Sequence, residues 1–302
     1  MLINQAASLY LDSLQSNYSA GSTLRKYSKV MRMLSEVLDG KAVRNITPRD
    51  LQQYRKSRNI SALTSAKELQ IIKAFFAWCT AQGYSKANIA QGIKPPKVRQ
   101  AEKIPYTQQE VIQIIAACDK LGQESYERRR AMAAILLMRF TGCRISDVLN
   151  LRLDAVKDGV LRLYTQKTKQ LVMHDLNIIP PVLHALAALP LPKGTIAHTH
   201  YFWNGVGSNH AVMSDMQRSL RRVYLLSKVP HAHNHRFRHT YASDLLSNGA
   251  SLWVVARQLG ISTTICERVY GHLTAAYCKQ VEDATMRAFS ADYHTVPNEA
   301  QN

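Results

Sequence analysis

Residues 235–270 read HRFRHTYASDLLSNGASLWVVARQLGISTTICERVY and run directly into GHL at 271–273. His235 and Arg238 stand three apart at the head of an apolar-periodic segment, so on a helix they share one face. Gly249 stops that helix. A second carries Trp253, Val254, Val255 and Leu259 to Gly260, and a third reaches Tyr270. A basic pair followed by a tyrosine two helices later is compatible with many folds, so the rest of the chain has to decide what the stretch does.

Composition narrows the field. A chain of 302 residues can bury two sizeable cores, and two domains are the default expectation. Its formal charge is +18 and its pI about 9.8, a self-repulsion that a compact domain tolerates when its partner is a polyanion. Nucleic acid and an anionic membrane both qualify. The membrane is disfavoured because the longest apolar run, 131–138, is far too short to span a bilayer. The N-terminal MLINQAASLYLDSLQ has no basic leader and reads as an amphipathic helix. The five cysteines form no C-x-x-C pair, which predicts buried small hydrophobes in a reducing cytosol.

Upstream of the opening stretch the pattern is mostly helical. Ser22 is a candidate N-cap for a helix ending at Gly40, with Leu24, Tyr27, Met31, Leu34 and Leu38 on its apolar side. Arg25, Lys29 and Arg32 repeat on another face, either as a solvated stripe or as phosphate contacts. Thr47-Pro48-Arg49-Asp50 caps the next helix, and a long one follows through Leu69, Ile72, Phe75 and Phe76 to Gly83. IKPPKVRQAEKIP is poor in apolar residues and rich in proline, and reads as a linker. Thr107 and Glu110 form a capping box, and helices are expected to Asp119 and over 124–140. Segments 160–164 and 171–173 read as strands around TQKTKQ, a hairpin. A helix follows Pro180-Pro181, then a loop with His198, His200, Tyr201 and Trp203, then a helix to about Lys228 carrying Arg218, Arg221 and Arg222, either as phosphate contacts or as solvated charges. His231, His233 and His235 alternate like metal ligands, but no carboxylate or cysteine ligand stands near them, so no metal is expected.

The opening stretch closely resembles the C-terminal signature of the tyrosine recombinase (phage integrase) family. That signature is His-x-x-Arg-His, a Leu-Gly turn, a tyrosine ten residues beyond the glycine and a histidine two further on; His235, Arg238, His239, Leu259, Gly260, Tyr270 and His272 stand at those spacings. TGCRISDVLNL resembles the family's first arginine motif, with Arg144 as the arginine and Asp147 where an acid is usual. Lys167 resembles the hairpin lysine, with Lys169 as a nearby competitor, and the N-terminal helices resemble the family's core-binding domain. The resemblance implies a mainly α fold with a small β-hairpin or sheet in the catalytic domain (α+β), built as a two-domain C-shaped DNA clamp. Its parts would be a helical core-binding domain at 1–94, a linker at 95–104, a catalytic domain at 105–290 and a flexible tail at 291–302.

It also implies a site-specific recombinase or integrase that cuts and rejoins DNA through a 3′-phosphotyrosyl link, without metal, ATP or other cofactor, to integrate or excise a phage or other mobile element. Breaking a phosphodiester without metal needs positive charge and donors around the phosphorane. Arginine forks match the non-bridging oxygens and stay charged. The resemblance assigns Arg144 and Arg238 to the phosphate, Tyr270 to attack, Lys167 to protonate the departing 5′-oxygen, and His235 to proton transfer or phosphate binding. Asp147 would hold the arginine by charge-assisted hydrogen bonds, and His239 would pack. Implied partners are double-stranded DNA attachment sites, a homotetramer on synapsed DNA and accessory DNA-bending or directionality proteins, in the cytoplasm on the nucleoid. One position departs: the family carries His or Trp after the Leu-Gly turn, and here Ile261 stands there, with Ser262 or Thr263 as substitutes or one donor fewer. A type IB topoisomerase and a non-catalytic DNA-binding regulator are the alternatives. A metal-dependent transposase would need a clustered acidic triad, and none of the 21 acidic residues forms one.

Overall fold

The computed structural model describes residues 1–17, 21–98, 104–122, 125–189, 199–203 and 208–293. It divides into two compact units, Met1–Ala101 and Glu102–Asn302.

Among its described residues the first unit holds four α-helices, α1 (Ile3–Asn17), α2 (Gly21–Val37), α3 (Pro48–Ser57) and α4 (Ala62–Ala81), with a short 3-10 turn at Val43–Asn45. The Thr47 hydroxyl accepts from Asp50 N–H and the Asp50 carboxylate accepts from Thr47 N–H, with Pro48 at the first helical position, so α3 starts where its capping box stands. Lys41 Nζ lies 2.6 Å from Asp50 and, with the Thr47 bonds, holds that carboxyl down at about 2. Leu34, Leu51, Tyr54, Ile72, Phe75 and Phe76 are fully buried and form the core. On α2, Met31 and Leu34 face inward while Arg25, Lys29 and Arg32 are exposed, as the periodicity predicts. The helix begins at Gly21, so Ser22 sits inside its first turn rather than before it.

The second unit is larger: α5 (Gln108–Asp119), α6 (Tyr126–Thr141), α7 (Ile145–Leu149), β1 (Val156–Lys157), β2 (Val160–Tyr164), β3 (Leu171–Asp175), α8 (Pro180–Ala187), α9 (Asn209–Ser227), α10 (Asn234–Ser247), α11 (Leu252–Leu259) and α12 (Thr263–Tyr293). The apolar run 131–138 is its central helix, α6, buried from Ala133 through Met138 and packed against α8 and α10. A helix buried all round reads as continuously apolar without being a membrane span; among the described residues no helix is long and apolar enough to cross one.

The three strands form an antiparallel sheet in the order β1-β2-β3. Register pairs Leu161 with His174 and Tyr164 with Leu171, which turns Leu161, Val172 and His174 inward and leaves Arg162, Leu171 and Met173 outside. The expectation of a mainly helical chain with a small sheet is met; β1 is the addition, too short at two residues to show a period. A separate cluster of Ala242, Leu246, Val255, Ala256, Leu259, Cys266 and Tyr270 joins α10, α11 and α12. The four described cysteines whose side chains are placed, Cys79, Cys118, Cys143 and Cys266, are free and buried. Helix α12 continues past Tyr270 to Tyr293, so the first residues of the expected tail are helical; 294–302, linker residues 99–103 and His198 lie outside the described residues.

Candidate active site

Two left-handed glycine turns set the site. Helix α6 ends at Gly142 (φ +64°), where a Cβ would lie 2.6 Å from Tyr241 Cδ1 and 2.7 Å from Leu259 Cδ2. Helix α11 ends at Gly260 (φ +59°), where a Cβ would meet Thr165 Cγ2 at 2.8 Å and Val172 Cγ1 at 2.9 Å. Only glycine satisfies both the backbone and the close approach. Each turn presents a carbonyl to the same side chain: Arg238 donates from Nη1 to Gly142 O (2.8 Å) and from Nη2 to Leu259 O (2.6 Å). Arg238 is 3% exposed. Burial, then the charge of Arg144, lowers its pKa to about 10, so it remains a cation at neutral pH.

Arg144 stands at the head of α7, two residues past Gly142. Its Nη1 lies 3.8 Å from Asp147 Oδ2, and both atoms are buried without a hydrogen-bond partner among the described residues. That separation is an ion pair and not a hydrogen bond, which differs from the role expected of Asp147. The acid's other oxygen, Oδ1, instead accepts from Gln166 N–H at 2.8 Å in the β2–β3 turn. On the far side of that turn, Thr168 Oγ1 donates to Gly260 O at 2.7 Å. Lys167 sits between these two anchors, exposed, with the neighbour on one side, Gln166, tied to the Arg144 helix and the neighbour on the other, Thr168, tied to the Gly260 turn. Lys169 is exposed too, in a left-handed conformation at φ +55°.

Helix α10 is positioned by the residue between the two signature positions. Arg236 donates to Ile104 O, Pro105 O and Pro230 O, pairs with Glu110 at 2.8 Å and covers the Tyr106 ring at 4.2 Å. Tyr106 in turn accepts from His233 N–H and donates to His233 O. With that face pinned, Arg238 and His239 point into the unit, and His235 is exposed one turn earlier.

Tyr270 is 4% exposed. Its hydroxyl lies 2.9 Å from His239 Nδ1, whose ring packs edge-on against His235 with centroids 4.7 Å apart. Burial pushes the Tyr270 phenol up to about 12; Arg238, and more weakly Arg144, oppose that rise. The expectation that His239 only packs is therefore corrected: it is buried, but one ring nitrogen is on the tyrosine hydroxyl. The signal in the sequence is its place four residues after His235, on the same face. What that face meets was not legible. His272 is exposed on α12. Arg222 pairs with Glu127 at 3.4 Å on the surface and Arg221 is exposed.

Ile261 is half-buried against the α10–α12 cluster and lines a groove of about 390 Å³ with Gln170, Leu171, Trp253, Arg257 and Thr263. Arg144, His235, Arg238 and Tyr270 are absent from that lining. Ser262 Oγ accepts from Ile265 N–H at 3.3 Å and so caps α12.

The sequence model described as "Phage integrase family" matches residues 106–276, a span that holds every member of this cluster. The chain belongs to the phage integrase family of tyrosine recombinases. A second model, "Phage integrase, N-terminal SAM-like domain", matches residues 7–83 in the first unit. The chain is 27% identical over 267 residues to a tyrosine recombinase of Thermosipho africanus, covering 83% of this chain and 89% of that one. It is 25% identical over 249 residues to the tyrosine recombinase XerC of Pseudomonas aeruginosa, covering 82% and 78%. Among solved structures, lambda integrase (75–356), seen as a dimer bound to a COC′ core site, superimposes with a TM-score of 0.71 at 16% identity, covering 88% of this chain and 97% of that chain. The chain is thus a tyrosine-type site-specific recombinase. Chemically, its cluster offers two guanidinium charges to an anion, and a phenol hydroxyl with an imidazole nitrogen beside it.

Proposed function

We propose that this recombinase cleaves and rejoins double-stranded DNA at attachment sites through a 3′-phosphotyrosyl intermediate, in the integration or excision of a phage or other mobile element. The observation that carries the reading is the buried Tyr270 hydroxyl lying in the field of two arginines, Arg238 and Arg144. Arg144 and Arg238 neutralise the non-bridging oxygens as Tyr270 attacks phosphorus. Lys167, anchored through both neighbours of its turn, protonates the departing 5′-oxygen. The bond energy is kept in the ester, so a second 5′-hydroxyl reseals the strand without ATP. The exposed Arg25, Lys29 and Arg32 face of α2 supports the reading that the first unit grips phosphates. Exchange between two duplexes needs four cleaving tyrosines, which makes a homotetramer on synapsed sites the working assembly.

The direct test is covalent capture. The protein is incubated with a pool of nicked duplexes, detergent-stable adducts are isolated, and the attached DNA is sequenced. Adducts on one recovered sequence support the proposal; plasmid relaxation without site preference would instead indicate a topoisomerase, and binding without any adduct a regulator.

Three further results are expected. Adduct formation survives EDTA, because arginine and lysine charges do what magnesium does elsewhere; activity that vanishes with chelator and returns with Mg²⁺ rules the mechanism out. In the same assays, affinity falls roughly 10³-fold or more between 50 and 200 mM salt, as counterions are released from six or more phosphates. For Ile261, the groove it lines predicts that Ile261→His leaves adduct formation unchanged, and not faster by the roughly 10²–10³ that a donor on the transition state contributes. A many-fold acceleration in single-turnover assays would show that the side chain does reach the phosphate.

A further inference from the structure

The function proposed above leaves open where the tyrosine's proton goes. A phenol attacks phosphorus well only as its O–H bond breaks, and Tyr270 is a protonated phenol at neutral pH, pushed to about 12 by burial. His235 is the signature histidine, but it is exposed, with its ring edge-on to that of His239. His239 is buried, on the inward face of α10, with Nδ1 at 2.9 Å from the Tyr270 hydroxyl. That distance is within reach for direct proton transfer.

From this geometry, and resting on the reading of Tyr270 as nucleophile, we propose that His239 takes the hydroxyl proton of Tyr270 during cleavage and returns it when the strand is rejoined. The balance is simple. The tyrosine O–H bond breaks and an Nδ1–H bond forms on His239. The oxygen–phosphorus bond forms and the bond from phosphorus to the 5′-oxygen breaks, its electron pair leaving on that oxygen, which takes a proton from Lys167. On rejoining, the tyrosine is the leaving group and the imidazolium gives the proton back. The transfer requires the hydroxyl to donate to Nδ1, and so the resting imidazole proton to sit on Nε2. His235 packs edge-on against the same ring.

The surroundings make the assignment testable by pH. Facing the pair are Arg144 from the turn between α6 and α7, Cys266 from α12, and Arg238 and His235 from α10 itself, with Cys143 and His174 beside Arg238. Burial raises both thiols, Cys143 to about 11, and lowers His174 to about 4, while Arg238 titrates at about 10. None of those titrates across the imidazole range near 6.5. The variants below decide which of the two neighbouring histidines, His235 or His239, carries an acid limb.

The experiment uses the full-length protein and the nicked duplex recovered by covalent capture, made with either oxygen or sulfur bridging phosphorus to the 5′-carbon. Sulfur leaves without a proton, so the sulfur duplex bypasses the general acid and reports the base alone. The expected results form one pattern. Wild-type adduct formation on the sulfur duplex rises with pH and levels off. His239→Gln keeps an acceptor for the hydroxyl but cannot hold its proton at neutral pH; it is slower by about 10²-fold or more on both duplexes and loses the limb. His235→Gln keeps the limb, and Lys167→Ala, slow on oxygen, recovers on sulfur. Duplex affinity and melting temperature show that each variant folds. His239→Gln at the wild-type rate with the limb intact would reduce His239 to a positioning residue and overturn the proposal. So would a limb that disappears with His235→Gln, or a wild-type protein with no limb on the sulfur duplex, a readout that needs no variant to fold. Failure of the underlying reading looks different: no wild-type adduct at all, or an adduct that persists in Tyr270→Phe.

Discussion

Tyr270→Phe abolishes the covalent protein–DNA adduct and leaves duplex affinity within about twofold, since a single buried hydroxyl is removed from the second unit and no charge is lost. Among the described residues the hydroxyl's hydrogen-bond partner is His239 Nδ1, so the fold loses one hydrogen bond, a cost of about 1 kcal/mol. The ring keeps its place among Ala242, Leu246, Val255 and Leu259. Activity has no such reserve, because phenylalanine has no atom to bond phosphorus. Tyr277, seven residues further along α12, is the control: Tyr277→Phe should form adduct at the parent rate. Gel-shifted, detergent-stable complexes read both outcomes. An adduct that survives Tyr270→Phe and disappears with Tyr277→Phe would transfer the nucleophile to the other tyrosine.

Arg238→Lys is the second large effect, and it separates charge from shape. Lysine keeps the positive charge but not the planar fork that reaches Gly142 O and Leu259 O together. One of two buried carbonyls loses its donor, at about 1–3 kcal/mol, which lowers the melting temperature of a unit this size by roughly 3–10 °C. The catalytic loss is larger than this destabilisation accounts for. An ammonium held by one glycine turn no longer presents two donors to a phosphate, and adduct formation should fall by about 10²–10³ at temperatures where the variant remains folded. A variant with near-parental rate and reduced melting temperature would make Arg238 a structural tie between the two turns and nothing more.

Much of the fold was legible because its signals are local. Capping boxes at Thr47–Asp50 and Thr107–Glu110 involve residues three apart, and both helices start where those residues stand. The strands over 160–164 and from 171 onward follow from alternation around a six-residue turn. Ser22 misled because residue 21 is already helical, and a serine in the first turn looks in sequence like a serine before it. The run 131–138 is too short to span a bilayer, yet nothing in an unbroken apolar run says which elements surround it.

The spacing of His235, Arg238, Leu259, Gly260 and Tyr270 identified the family without coordinates, because helix period and turn residues constrain where such side chains stand on their own elements. Tertiary structure decided what those side chains touch. Arg238 reaches carbonyls 96 and 21 residues away, and His239 reaches a hydroxyl 31 residues away. Asp147 was expected beside Arg144, but its short hydrogen bond goes to Gln166, 19 residues on, in the hairpin turn. Ile261 occupies the family's donor position in sequence, and lines a groove whose other walls come from β3 and α11. The reason is common to all four. A helix's sequence specifies which face a residue occupies, whereas the residue facing it depends on how separate elements cross and on where left-handed turns such as Gly142 and Gly260 let the backbone close in.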